Sequence, residues 1–225
     1  MKILSFCLYG NKPMFDIGMI KNVKLAQEIY RDYECRVYLP KRYNGEIQQQ
    51  IREFGGTPIE KSILPGHLCM MWRLLPCFEE NIELVVSRDA DARLTKRDYE
   101  IVNRFLETDY AIQSLKDHEA HHGFDLLGGM IAIKPDKMYQ GFKSDYRQFI
   151  LKGYKTKYPE YRIYGGNLKG SDQIFLSKYV FSKMRSQIIE YSDLGGNPIG
   201  ALEDKTLFIG NKFDENDVPQ FVRGY

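Results

Sequence analysis

Over its first hundred or so residues the chain alternates short apolar runs with segments of helical periodicity, and this alternation limits the fold more than any other feature. Residues 2–8 read as a strand, stopped by the turn-forming Tyr9-Gly10-Asn11-Lys12-Pro13. From Gly18 to Asp32 the apolar positions Ile20, Val23, Leu25, Ala26, Ile29 and Tyr30 recur at helical spacing. Arg36–Leu39 reads as a strand ended by Pro40, and Glu46–Phe54 as a helix stopped by Gly55-Gly56. Thr57–Glu60 reads as a further strand, Met70–Phe78 as a helix interrupted by Pro76, and Ile82–Ser87 as a buried strand. Thr95 caps a helix that runs to about Leu106. The alternation predicts an α/β fold, with a mainly parallel central sheet, right-handed crossovers and flanking helices. Beyond it, strands are expected at Tyr110–Ser114 and Gly128–Ile133, and helices around Ser144–Leu151 and Asp172–Val180. With 225 residues, no internal repeat and no low-complexity linker, one domain is expected over 1–225.

Composition narrows the function. A net charge of +2 argues against a dedicated nucleic-acid or polybasic membrane surface. Cys7, Cys35, Cys69 and Cys77 form no CxxC pair, which suits free thiols in a reducing compartment. The apolar start is too short to span a membrane and lacks signal-peptide features, so a cytoplasmic enzyme is expected. The 16 tyrosines against one tryptophan suit surfaces that handle polar rings, and equally suit packing at a half-wet boundary.

The segment richest in chemistry is Leu84-Val85-Val86-Ser87-Arg88-Asp89-Ala90-Asp91. A buried strand here delivers two carboxylates to its C-terminal end, where open α/β sheets bind ligands. With the small Ala90 between them, Asp89 and Asp91 are expected to converge on one hard cation, Mn²⁺ or Mg²⁺, whose shell is completed by water and substrate phosphate. The bland alternative is a pair of solvated or capping aspartates. Arg88 and Arg93 on the flanks suit phosphate or the aspartates themselves.

Downstream, Lys116–His122 holds three histidines and two acids. Zinc or iron ligation is one reading of it, and contact with a sugar or phosphate is the other. Gly128-Gly129 before an apolar run suits either a close ligand or tight strand packing. Asp125 suits a general base or a turn cap. Asp172, after Gly170-Ser171, reads by helix grammar as an N-cap.

The Asp-x-Asp after a hydrophobic strand resembles the metal and nucleotide-sugar signature of GT-A fold glycosyltransferases. In detail the chain is similar to the small glycosyltransferases of large DNA viruses, including chlorella viruses. The resemblance is carried in order by Ser5–Gly10, Gly18…Asn22, Trp72–Leu75, Ser87–Arg93, Asp117-His118…His121, Leu127–Met130 and Gly170–Leu176. It implies a nucleotide-sugar donor, UDP-linked by the family's habit, and a glycan or glycoprotein acceptor. It implies a single GT-A-like domain whose nucleotide-binding half is about 1–110 and whose sugar and acceptor half is about 111–225. If the gene is viral, it implies the host cytoplasm. Leu8, Tyr9 and Gly10 become candidates for the nucleoside, and Arg73 for the base or diphosphate. Arg88, Ala90, Asp117, His118, Gly128, Gly129 and Gln173 become donor contacts. Asp172 becomes the first candidate for the catalytic base, with Asp125 the alternative. Such enzymes often add a late His as third metal ligand; no His follows His122, and Asp193 is the candidate in its place. The rivals are a carbohydrate- or nucleotide-binding module without catalysis, and a metal-dependent nucleotidyltransferase or phosphohydrolase. No Gly-x-x-x-x-Gly-Lys-Ser/Thr loop supports the last.

Overall fold

A computed structural model describes residues 1–10, 12–64, 66–154, 170–192, 194–200 and 207–220. A seven-stranded sheet runs through the middle in the order β3-β2-β1-β4-β6-β5-β7. Its strands are β1 (Lys2–Cys7), β2 (Tyr33–Pro40), β3 (Thr57–Lys61), β4 (Leu84–Arg88), β5 (Ile112–Lys116), β6 (Met130–Ile133) and β7 (Ile188–Ser192). Neighbours pair in parallel except at β6, which runs against both β4 and β5. Helices α1 (Pro13–Ile29), α2 (Gly45–Glu53), α3 (Lys96–Leu106) and α4 (Phe142–Tyr154) flank it, with short α5 (Ser171–Phe175) and α6 (Ser182–Met184). A late ribbon pairs β8 (Lys212–Phe213) with β9 (Pro219–Gln220). Among the described residues no helix is long and apolar enough to cross a membrane.

Because strand side chains alternate, the sheet feeds two cores. Leu4, Phe6, Leu84, Val86 and Ala132 pack on one face with Val23, Ile51, Val102 and Phe105 of α1–α3. Ile3, Val85, Ile131 and Ile133 pack on the other with Leu68, Met71, Phe149 and Phe175. This is why the strand runs read as apolar on both faces.

Several elements differ from expectation. Helix α1 starts at Pro13 rather than Gly18, with proline in its first turn, where the missing N–H costs nothing. Gly66–Phe78 is a run of 3₁₀ turns holding Pro76, in place of the expected helix from Met70. The helix expected over Asp172–Val180 is α-helical only to Phe175 and continues as a π-helical stretch, Leu176–Phe181. Thr95 caps α3 as expected, accepting from the Asp98 N–H at 3.1 Å.

The sheet order places the ligand edge. From β1 the chain fills β2 and β3 on one side and then crosses to β4 on the other, so the order reverses between β1 and β4. At such a switch point the C-terminal strand ends part and leave a crevice. The turn after β4 is fixed there by Asn22, fully buried on α1. Its Nδ2 donates to the carbonyls of Ala90 (3.3 Å) and Ala92 (2.8 Å), and its Oδ1 accepts from the Leu94 N–H (3.1 Å). One turn earlier, Gly18 lets α1 approach so closely that a Cβ would overlap the Ala90 carbonyl. Asn22→Leu strands three buried backbone groups and is expected to cost about 2–4 kcal/mol in urea unfolding.

Candidate active site

Asp89 follows β4 directly at the crevice, with its side chain 43% exposed. Its Oδ1 accepts from Arg73 Nη1 at 2.7 Å. Arg73 lies in the 3₁₀ run and is 3% exposed; its Nε donates to the Met70 carbonyl at 3.2 Å and its Nη2 to Cys7 Sγ at 3.3 Å. The same Nη1 lies 3.9 Å from Asp172 Oδ2, so one guanidinium faces both carboxylates. Asp172, in the first turn of α5, is 1% exposed, and its Oδ1 has no hydrogen-bond partner among the described residues. Burial pushes its carboxyl above the usual range, against the pull of Arg73.

The opposite wall is backbone. A Cβ on Gly128 would overlap the Asp172 carboxylate, and one on Gly129 the Asp89 carboxylate. The reversed direction of β6 makes this possible. Met130 pairs with Arg88, so the glycines that precede β6 fall beside the residue that follows β4. Ser87 Oγ donates to the Gly128 carbonyl at 2.6 Å and fixes the approach.

Asp91 completes the acidic turn. It is buried, and its Oδ2 lies 3.3 Å from Lys212 Nζ of the late ribbon. Burial and the charge of Asp89 raise its carboxyl above the usual range. These residues fit a divalent ion. The donors are the hard oxygens of Asp89 and Asp91, and among the described residues each of these carboxylates has one cationic partner (Arg73 and Lys212). No cluster of three or more His, Cys, Asp or Glu ligands occurs among the described residues. Two carboxylates with the remaining positions left to water and phosphate is a normal magnesium or manganese shell.

The other expected site residues fall as follows. Leu8 is in the core, and its N–H donates to the Tyr38 carbonyl at 2.8 Å. Tyr9 is half-buried, with its hydroxyl 2.8 Å from His67 Nδ1. Gly10 has φ +77°, and its carbonyl accepts from the Tyr43 hydroxyl at 2.8 Å. A cleft of about 610 Å³ opens beside it, lined also by Asp16, Lys41, Tyr43 and Asn44. Ala90 offers its carbonyl to Asn22, and Gln173 lies half-buried after Asp172.

Arg88 points away from the crevice. Its guanidinium is buried in a bidentate pair with Asp98 (2.8 and 2.6 Å) and also donates to the Ile131 carbonyl. Asp117 is held by Arg97 and by the Ile209 N–H, and His118 stacks on Phe208 at 4.2 Å. Asp125 is exposed and accepts from Ser177; among the described residues no hydrogen bond or ion pair joins it to Arg73, Asp89 or Asp172. Asp193 lies outside the described residues, as does the Lys/Tyr segment beyond Tyr154. Sequence reading missed Lys212, which lies far from the acidic turn along the chain.

No protein-family model matches the sequence, and no curated protein matches it. Solved structures do. A protein from Desulfovibrio desulfuricans G20 described as a nucleotide-diphospho-sugar transferase aligns over 85% of this chain and 80% of its own, at TM-score 0.50 and 11% identity. The glycosyltransferase GlyE of Streptococcus pneumoniae TIGR4 aligns over 84% of this chain and 45% of its own, at TM-score 0.50 and 16% identity. This is a GT-A-like fold. A Bacillus anthracis protein described as a glucose-1-phosphate thymidylyltransferase shares it, covering 87% of this chain and 88% of its own at TM-score 0.52 and 12% identity. The fold alone therefore does not choose between sugar transfer and nucleotidyl transfer.

His121, near this site, carries a pH dependence. Its ring packs edge-on to Phe208, its Nδ1 is buried without a partner among the described residues, and burial with His118 and His122 nearby lowers its pKa to about 4. An unfolded His takes its proton near 6.5, so between pH 6.5 and 4 the unfolded chain binds more protons and stability falls as pH drops. The loss is on the order of 2 kcal/mol. Denaturant melts at pH 7, 5.5 and 4.5 check it: His121→Phe is expected to remove that part of the slope.

Proposed function

We propose that the chain is a metal-dependent glycosyltransferase that moves a sugar from a nucleoside-diphosphate donor to an acceptor hydroxyl, with a UDP-sugar as donor and a glycan or glycoprotein as acceptor. The observation that carries this reading is the pair Asp89 and Asp172, held between one buried guanidinium and two glycines at the sheet's switch point. The two glycines leave room for the two carboxylates to lie against backbone, with Gln173 near to bind sugar hydroxyls. The nucleoside lies in the cleft beside Gly10, and residues up to about 110 form the nucleotide side. Residues from about 111 onward form the sugar and acceptor side. The nearer kinship with viral glycosyltransferases rests on the ordered sequence motifs.

Asp89 and Asp91 would hold a Mn²⁺ or Mg²⁺ ion, which when bound neutralises the diphosphate as it leaves. Arg73 keeps the Asp89 carboxylate at the crevice edge by its 2.7 Å contact. Asp172 accepts the proton of the acceptor hydroxyl. Its burial strengthens it as a base, and its unpartnered Oδ1 is free to receive that proton.

The nucleotidyltransferase reading is favoured by one fold likeness. It gives Asp172 no work, because a sugar phosphate is already an anion and needs no base. Incubation with a nucleoside triphosphate and a sugar 1-phosphate tests it directly: pyrophosphate release would replace the glycosyltransferase reading.

Asp89→Asn is expected to abolish Mn²⁺-dependent binding of nucleotide sugars in calorimetry while circular dichroism still shows a folded chain, with a lowered melting temperature because the buried Arg73 loses one of its anions. Unchanged donor affinity would remove Asp89 from the site. Asp172→Asn is expected to lower kcat by about 10²–10⁴-fold with a much smaller change in donor affinity. Equal losses in both would make Asp172 a binding residue.

A further inference from the structure

The far end of the chain brings one more charge to the acidic turn. The β8–β9 ribbon lies on that turn: the Phe213 N–H donates to the Asp91 carbonyl at 2.9 Å, and the Phe213 ring lies 4.7 Å from the Arg93 guanidinium. Asp217 fixes the ribbon in place. Its Oδ1 accepts from Arg93 Nε and Nη2 at 2.9 and 2.7 Å, and its Oδ2 lies 2.7 Å from Lys21 Nζ on α1. The ribbon therefore holds Lys212 in register with the turn. Lys212 Nζ lies 3.3 Å from Asp91 Oδ2, with its side chain 54% exposed while that of Asp91 is nearly buried.

Two consequences follow from the charges and the exposure. An ammonium at that oxygen competes with any divalent ion for the same carboxylate. An ammonium also has three N–H donors, and Asp91 is its one ionic partner among the described residues, so donors remain for an anion arriving from solvent.

We propose that Lys212 is a resident counter-cation: it neutralises Asp91 while no divalent ion is bound, and turns its ammonium to the donor's diphosphate when one is. This rests on the glycosyltransferase reading and adds to it a ligand-binding side chain from the late ribbon, antagonistic to the metal. Asp217 is then a positioning residue, acting through Arg93 and Lys21.

The test uses the full chain and two probes: Mn²⁺ alone, followed by electron paramagnetic resonance of the free ion, and UDP or GDP, whichever the wild type binds, titrated at saturating Mn²⁺. Lys212→Met is expected to bind Mn²⁺ about two- to fivefold more tightly, the size of a partly exposed ion pair removed. It is expected to bind the nucleotide at saturating Mn²⁺ roughly five- to tenfold more weakly, through the loss of charge-assisted hydrogen bonds. Lys212→Arg, which keeps the cation, is expected to stay near wild type in both. If Lys212→Met leaves Mn²⁺ affinity unchanged, or weakens both ligands together, the counter-cation role is overturned while the glycosyltransferase reading stands. If the wild type binds neither Mn²⁺ nor either nucleotide, both fall.

Discussion

The site depends on one buried guanidinium. Arg73 ties four parts of the chain together: its own 3₁₀ run through Met70, β1 through Cys7 and Ser5, the end of β4 through Asp89, and α5 through Asp172. A cation with so little access to water needs its anions close, and those anions equally need it. Two carboxylates can face one crevice without forcing each other apart because this charge lies between them. Cys7 completes the arrangement as a neutral group. Burial pushes its thiol up to about 11, so it accepts a hydrogen bond without adding a further negative charge.

The second constraint is the reversal of β6. In an all-parallel sheet the strand beside β4 would present its own C-terminal end at the ligand edge. Here the neighbour presents its start, and the two residues there lack side chains. The carboxylates therefore face bare backbone on one side and a fixed guanidinium on the other. Asn22 and Gly18 perform the matching task from α1, one by hydrogen bonds to the turn after β4 and the other by having no Cβ.

The sequence made some of this legible and concealed the rest for physical reasons. Strand β4 and the acids after it stand out because a buried run ending abruptly in charge has few other uses, and the cap at Thr95 follows from local hydrogen-bond chemistry. The direction of β6 was not legible, since a short apolar run carries no sign of which way it lies. Nor was the inward turn of Arg88. Its partner Asp98 is in the first turn of α3, and only the way the chain folds back after β4 brings the two together. Lys212 and Asp217 meet the acidic turn across more than a hundred residues, and contact at that separation leaves no local trace. Pro76 did signal a broken helix, but not that the whole Gly66–Phe78 run winds as 3₁₀ turns, packed against β1 and β4.

The antiparallel placing of β6 has one more effect. Because β5 runs toward the ligand edge and β6 away from it, the connection over residues 117–129 leaves and rejoins the sheet on the same rim. Its length can grow or shrink without rethreading a strand or moving a helix, at a cost in loop closure that rises only slowly with length. The ligand edge thus has an adjustable lip at residues 117–129. That lip is where a lineage could change what reaches the carboxylates while keeping the frame that holds them.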